Sequence, residues 1–242
     1  MRPVLWSSLL LAAAAAGVLV ATTGGCGPEP APATPGPDDV VVRVGDLEFT
    51  WRELDEDFEF LRRTDPSLAP GYIRWVQLMD DLIPRRLAAR LIDPAAVAEG
   101  RHKAEDLART VQEAGGTVED LRRFGAPLGG AEAPYSLTRV NDLETIAAKS
   151  VFSLDIGQAS GAIHGAFGSY VLAPTEELHG VAAANRSRKI YVVYFTYAAD
   201  ARTRVLAEAR KYRSMPLEVH PSLLRELEPQ AAKIRVLDEE TR

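Results

Sequence analysis

Hydrophobic positions along the chain change period several times, and each change marks an element. Residues 40–44, Val-Val-Val-Arg-Val, and 47–49, Leu-Glu-Phe, are β-rich runs around Gly45-Asp46, which predicts a short hairpin. Thr50-Trp51-Arg52-Glu53 reads as a capping box, with Thr50 accepting from the third residue's N–H and Glu53 reaching back. Leu54, Phe58 and Leu61 recur at helical spacing, so a helix is expected over 51–63, ended by Pro66 and Pro70-Gly71. A second helix, over 72–91, carries Ile73, Val76, Leu82, Ile83, Leu87 and Leu91, with Pro84 as a kink. A third, over 94–114, opens on Pro94 and closes at Gly115-Gly116. A short fourth starts at Thr117 and runs through Arg123.

The second half changes character. Residues 142–153 are amphipathic through Leu143, Ile146, Ala147 and Val151, and 155–157 turn the chain. Residues 159–164 and 169–172 can then pair around Gly165-Ala166-Phe167-Gly168. Residues 190–196, Ile-Tyr-Val-Val-Tyr-Phe-Thr, are the most strand-like run in the chain. Alternation sends Tyr191, Val193, Phe195 and Tyr197 to one face and Val192, Tyr194 and Thr196 to the other. A strand apolar on both faces reads as a central core strand; its aromatic residues also allow a peptide-binding platform. A helix over 198–213, a short helix over 222–232 and a strand over 234–237 follow. This order predicts an α+β fold.

Composition narrows the function. Hydrophobic residues make up 46% and charged residues 26%, which excludes a mostly disordered chain. A net charge of −6 argues against a protein built to neutralise nucleic-acid phosphates. The single Cys26 leaves no internal disulfide and no Cys-rich metal site. His102, His164, His179 and His220 lack the i, i+4 spacing of helical ligands, so neither a metal nor a cofactor is expected. Gly125-Ala126-Pro127-Leu128-Gly129-Gly130 lacks the Lys-Ser/Thr of a phosphate loop and reads as a flexible connection.

Arg2 is the only charge in the first 28 residues, and 4–21 are nearly all Leu, Ala and Val before Thr23-Gly24-Gly25-Cys26. A cationic start, an apolar stretch and small residues define a secretory signal. It resembles a bacterial lipoprotein signal, with Gly25 and Cys26 matching the lipobox and Thr23 departing from its usual aliphatic residue. The resemblance implies acylation of Cys26, and Gly27 in place of Asp implies the periplasmic side of the outer membrane in a Gram-negative bacterium. Removing the signal takes Arg2 with it and makes the net charge one unit more negative. Residues 27–39, GPEPAPATPGPDD, favour extended polyproline II, a spacer about 40 Å long.

VVVRVGDLEFTWRELD resembles the opening of periplasmic chaperones of the SurA and PrsA type: a strand, a turn, and Thr-x-x-Glu-Leu entering a helix. Residues 150–177, SVFSLDIGQASGAIHGAFGSYVLAPTEE, resemble the end of a parvulin-type prolyl isomerase domain. Phe152 and Leu154 match its helix end, Gly157 and Ser160 its turn, Ile163 its penultimate strand, and Phe167-Gly168 the opening of its last strand. The resemblance implies a helical SurA-like part followed by a small parvulin-like mixed sheet covered by helices. It also implies a hydrogen-bonded pair of histidines beside a Cys or Asp. Here Tyr170 stands where the second His belongs, Ala147 replaces a pocket aromatic, and Tyr191 or Tyr194 falls near the first His. Catalytic candidates reduce to Tyr170 and His164; peptide-binding candidates are Phe152, Phe167, Tyr170, Tyr191 and Tyr194.

The expected division is a signal over 1–25, a tether over 26–39, a SurA-like hairpin with helices over 40–115, and a parvulin-like region over 116–242. Residues 186–242 either complete that sheet or form a second partial copy. Together these imply a lipid-anchored periplasmic chaperone or folding factor. It would bind unfolded or extended exported polypeptides, touch the membrane only through its lipid, bind no nucleic acid, and isomerise proline inefficiently. An active prolyl isomerase and a non-catalytic structural or assembly lipoprotein of the envelope are the alternatives.

Overall fold

The computed structural model describes residues 34–64, 68–136, 144–178, 187–231 and 233–237. The export segment, Cys26, the Pro-rich stretch up to residue 33 and His179 lie outside them. The chain is already docked at Gly36–Asp39, where the Gly36 N–H donates to Asp39 Oδ2 at 2.8 Å. This turn serves the first helix: the N–H groups of Trp51 and Arg52 donate to the carbonyls of Asp39 (2.9 Å) and Pro37 (2.8 Å). First-turn amides have no partner inside their own helix, which is why the turn settles there.

Strands β1 (Val40–Val44) and β2 (Leu47–Thr50) form the expected hairpin, with Gly45 at φ 58° in the turn. Thr50 then caps α1 (Trp51–Glu56) through a full capping box. The helix expected over 51–63 breaks at Asp57 and resumes as α2 (Phe58–Thr64). Asp57 is buried there, ion-paired to Lys149 and to Arg85 at 3.6 Å. The helix expected over 72–91 is α3 (Pro70–Gln77), a π-helical turn (Leu78–Leu82) and α4 (Ile83–Leu91). The Ile83 N–H reaches back five residues to the Leu78 carbonyl, so a widened turn, rather than a sharp kink, delivers Pro84 to the first turn of α4. Helix α5 (Pro94–Ala114) stops at Gly115, and Thr117 caps α6 (Val118–Gly125).

Beyond a 3-10 turn lies β3 (Ala131–Ser136), which no hydrophobic pattern announced. Then come α7 (Thr145–Ser153), β4 (Ile163–His164), β5 (Gly168–Leu178), β6 (Ser187–Thr196), α8 (Ala201–Tyr212), β7 (Leu217–Val219), α9 (Pro221–Leu227) and β8 (Ile234–Val236). Strand β7, three residues long, also left no pattern.

Two sheets result, so the fold is α+β. The first runs β2-β1-β7-β8: the hairpin joins the C-terminal strands, with Val42 opposite Val219 and Val44 opposite Leu217. Strands β7 and β8 are parallel across α9. This places both ends of the described chain in one sheet, and Ala33–Arg242 cluster as one unit. Val42, Val44, Leu47 and Phe49 bury against Leu54, Leu78, Ile83, Val205, Leu217 and Leu227, all 2% exposed or less.

The second sheet is antiparallel, in the order β3-β6-β5-β4. The strand over 190–196 therefore pairs directly with 169–172 in one sheet. Alternation sorts its faces as expected. Val171, Tyr191 and Val193 pack on α5 and α6 through Leu107, Val111 and Leu121. Tyr170, Leu172 and Ile190 pack on α7 through Ala147, Ala148 and Val151. The glycines expected to make 125–130 flexible instead admit neighbours: a Cβ at Gly130 would overlap the Tyr191 ring, and one at Gly125 would lie 2.5 Å from Val193. No helix among the described residues is long and apolar enough to cross a membrane.

Candidate cleft around the β4–β5 turn

Gly165 to Gly168 link β4 to β5, and the Gly165 N–H donates to the Gly168 carbonyl at 2.9 Å. So tight a turn leaves the next two amides pointing outward together. Both meet one group, the carboxylate of Glu144 at the start of α7: Ala166 N–H donates to Oε2 and Phe167 N–H to Oε1 at 3.2 Å. The Tyr170 hydroxyl donates to Oε1 at 3.1 Å. A Cβ at Gly165 would overlap this carboxylate, so the glycine makes its seat. Burial raises the Glu144 carboxyl above its ordinary value, and the three donors offset part of that.

Tyr170 lies opposite Tyr194 in the β5–β6 register, with ring centroids 4.7 Å apart. Burial, then the neighbouring Glu144 charge, holds the Tyr170 phenol far above its ordinary range. The same two causes, in the same order, raise Tyr194, which is 42% exposed. Neither phenol can serve as a base near neutrality.

Glu144 and Ala166 stand between two clefts. The larger, about 580 Å³, opens between α4, α5 and the β4–β5 turn. Its walls are mostly small and apolar, with Arg85, Arg101, Glu144, His164 and Tyr197 as the charged or polar members. This is the size range of clefts that take one small ligand or a short segment. The smaller, about 350 Å³, lies between the π-turn and α8 and is lined by Asp80, Asp81, Phe167 and Arg202 among others. Asp81 bonds Arg85 at 2.7 Å; burial first, then the charges of Asp57 and Glu144, push its carboxyl up to about 6.

His164 belongs to a separate chain of contacts. Its Nδ1 lies 3.0 Å from Ser169 Oγ and its Nε2 3.2 Å from Glu105, and Ser169 Oγ lies 3.0 Å from the Tyr197 hydroxyl. A Ser–His–Glu order is thus present, but Ser169 is 0% exposed and divided between two partners. Its oxygen cannot meet a substrate carbonyl.

The structure gathers some sequence candidates and scatters others. Tyr170, Tyr194 and the Phe167 backbone meet around Glu144. His164, opposite Ser169 in the strand register, is not joined to Tyr170. Phe152 packs on Tyr135 (6.0 Å between centroids), with the Arg188 guanidinium 5.6 Å from its ring. Tyr191 is buried in the opposite face of the sheet. His102 pairs with Asp106 at 3.3 Å on the surface of α5, and His220 caps α9. Among the described residues no three metal-ligating side chains converge. Glu144 was missed because it reads as one polar position inside the predicted helix over 142–153; nothing local marks its distant donors. Comparison with family models, curated proteins and solved structures finds no match to this chain.

Proposed function

We propose that this protein is a lipid-anchored periplasmic folding factor that holds extended segments of exported polypeptides without efficient prolyl isomerisation. The observation that carries the binding half is the apolar cleft of about 580 Å³ against the β4–β5 turn. Small walls admit side chains, and the rim adds exposed apolar surface at Ile146, 41% exposed. The lack of isomerisation is supported by Tyr170 and Tyr194. Tyr170 stands where the parvulin resemblance puts its second histidine. Tyr194 is its register neighbour and, with Tyr191, one of the two tyrosines that fall near the first, and both phenols are held protonated. The SurA-like entry sequence supports the chaperone class, and Thr23-Gly24-Gly25-Cys26 supports the anchor.

The test is suppression of aggregation when an unfolded outer-membrane protein is diluted into buffer with near-stoichiometric amounts of this chain. Suppression is expected; failure to bind any unfolded client removes the reading. A protease-coupled proline-peptide assay should stay at its uncatalysed rate. Cys26→Ser should release the protein from the membrane fraction.

A further inference from the structure

Helices α4 and α5, joined only through Ile92-Asp93, turn matching stripes toward the larger cleft. Arg85, Ala88 and Ala89 recur at one-face spacing on the first, with Ile92 just past its end, and Pro94, Val97, Ala98 and Arg101 do so from the start of the second. The apolar members are small or compact, which keeps the groove open.

Its polar groups are nearly all committed elsewhere. Arg85 is held by Asp81 at 2.7 Å and Asp57 at 3.6 Å. Glu144 accepts three hydrogen bonds, filling the two backbone amides that could otherwise receive a peptide's terminal carboxylate. His164 has partners at both ring nitrogens, and the Tyr197 hydroxyl is shared with Ser169. Arg101 is the exception: it lines the cleft, is exposed, and has no hydrogen-bond or ion-pair partner among the described residues.

We infer that the cleft selects extended polypeptide segments in which an acidic side chain is flanked by apolar residues. The apolar residues lie along the Ala89, Val97 and Ala98 surface, and the Asp or Glu carboxylate meets the Arg101 guanidinium. A guanidinium fork matches a carboxylate bidentately, and like-charge repulsion from the same guanidinium disfavours a segment bringing a cation there. This rests on the folding-factor reading and names its preferred client.

The test uses the full chain and fluorescent nonapeptides of one apolar sequence with Glu, Gln or Lys at the centre, read by anisotropy. The Glu peptide should bind about fivefold tighter than the Gln peptide, as for an exposed ion pair, with the gap closing as salt rises. Arg101→Glu, a surface change, should reverse the order in favour of Lys. Filling the groove with Ala98→Trp should weaken all three peptides. Equal binding of Glu and Gln peptides, or an order unchanged in Arg101→Glu, overturns the inference. If the Gln peptide still binds and aggregation is still suppressed in that case, the folding-factor reading stands alone. Binding of none of the peptides, with no suppression, removes both.

Discussion

The Glu144 carboxylate occupies the space that a side chain at residue 165 would need, so Gly165 and Glu144 are two halves of one arrangement. Because the end of a flexible side chain fills that space, Gly165→Ala should leave the strands in place and expel the carboxylate from its three donors. A cost of about 1–3 kcal/mol is expected, that of leaving buried polar groups unpaired. Glu144→Ala should cost a similar amount, and the double substitution little more than either alone. Urea unfolding of the four proteins measures this cycle; additive costs would mean the two residues act separately.

Tyr170 and Tyr194 are neighbours with unequal duties. Tyr170 is 5% exposed and its hydroxyl serves Glu144; Tyr194 is largely at the surface. Tyr170→Phe should destabilise by about 1–2 kcal/mol and raise the Glu144 pKa further, since the anion loses a donor. Tyr194→Phe should stay within about 0.5 kcal/mol of the parent. Carboxyl NMR titration, together with denaturation, separates the two.

Much of this fold was legible as pattern. The hairpin at Gly45, the Thr50 cap, the start of α6 at Thr117, the full extent of α5 and the two-faced strand β6 each follow from local period and capping chemistry. What was not legible depends on distant partners. Strand β3, with Pro134 inside it, shows no hydrophobic alternation and is a strand only because β6 offers Ser187 to Val192 as its ladder. The first hairpin gives no hint that its neighbour lies at Leu217–Val219. Gly71 looked like a helix breaker, yet a Cβ there would overlap the Glu226 carbonyl of α9. The candidate site follows the same rule: Tyr170 and Tyr194 could be named from sequence, whereas Glu144 could not, because its role exists only once α7 meets the β4–β5 turn.

Acidity should stabilise this protein over part of the pH range. Asp81 has a carboxyl pushed up to about 6 from an ordinary 3.8, and Glu144 is shifted in the same direction. A carboxyl whose folded pKa is raised favours the folded state when protonated. Its contribution is complete below the unfolded value and is lost as pH rises through the folded one. From pH 7 to pH 5, Asp81 should therefore add on the order of 1–2 kcal/mol. The groups around it are Arg85, which lowers its pKa, and Asp57 and Glu144, which raise it. The carboxyls with lowered pKa, Asp46, Glu99, Asp120 and Glu132, act below this window. In Asp81→Asn the gain between pH 7 and 5 should shrink by that amount in urea unfolding; an unchanged slope would deny Asp81 its part.

Ser169 offers the sharpest check on whether a hydrolase hides in this architecture. Its order with His164 and Glu105 is that of a nucleophile, base and orienting acid, and its distances of 3.0 and 3.2 Å fall within or at the edge of the usual range. What such a site also needs is a path for the acyl group and donors for the oxyanion. Ser169 has no exposed surface, and Tyr197 shares its oxygen. The paired amides nearest the turn are filled by Glu144. A fluorophosphonate probe should therefore leave Ser169 unmodified, as read by mass spectrometry of the labelled digest, while Ser169→Ala should cost about 1–3 kcal/mol by stranding the Tyr197 hydroxyl and His164 Nδ1. Labelling at Ser169 that is lost in His164→Ala would reverse this, because only an accessible, base-activated oxygen reacts in that way.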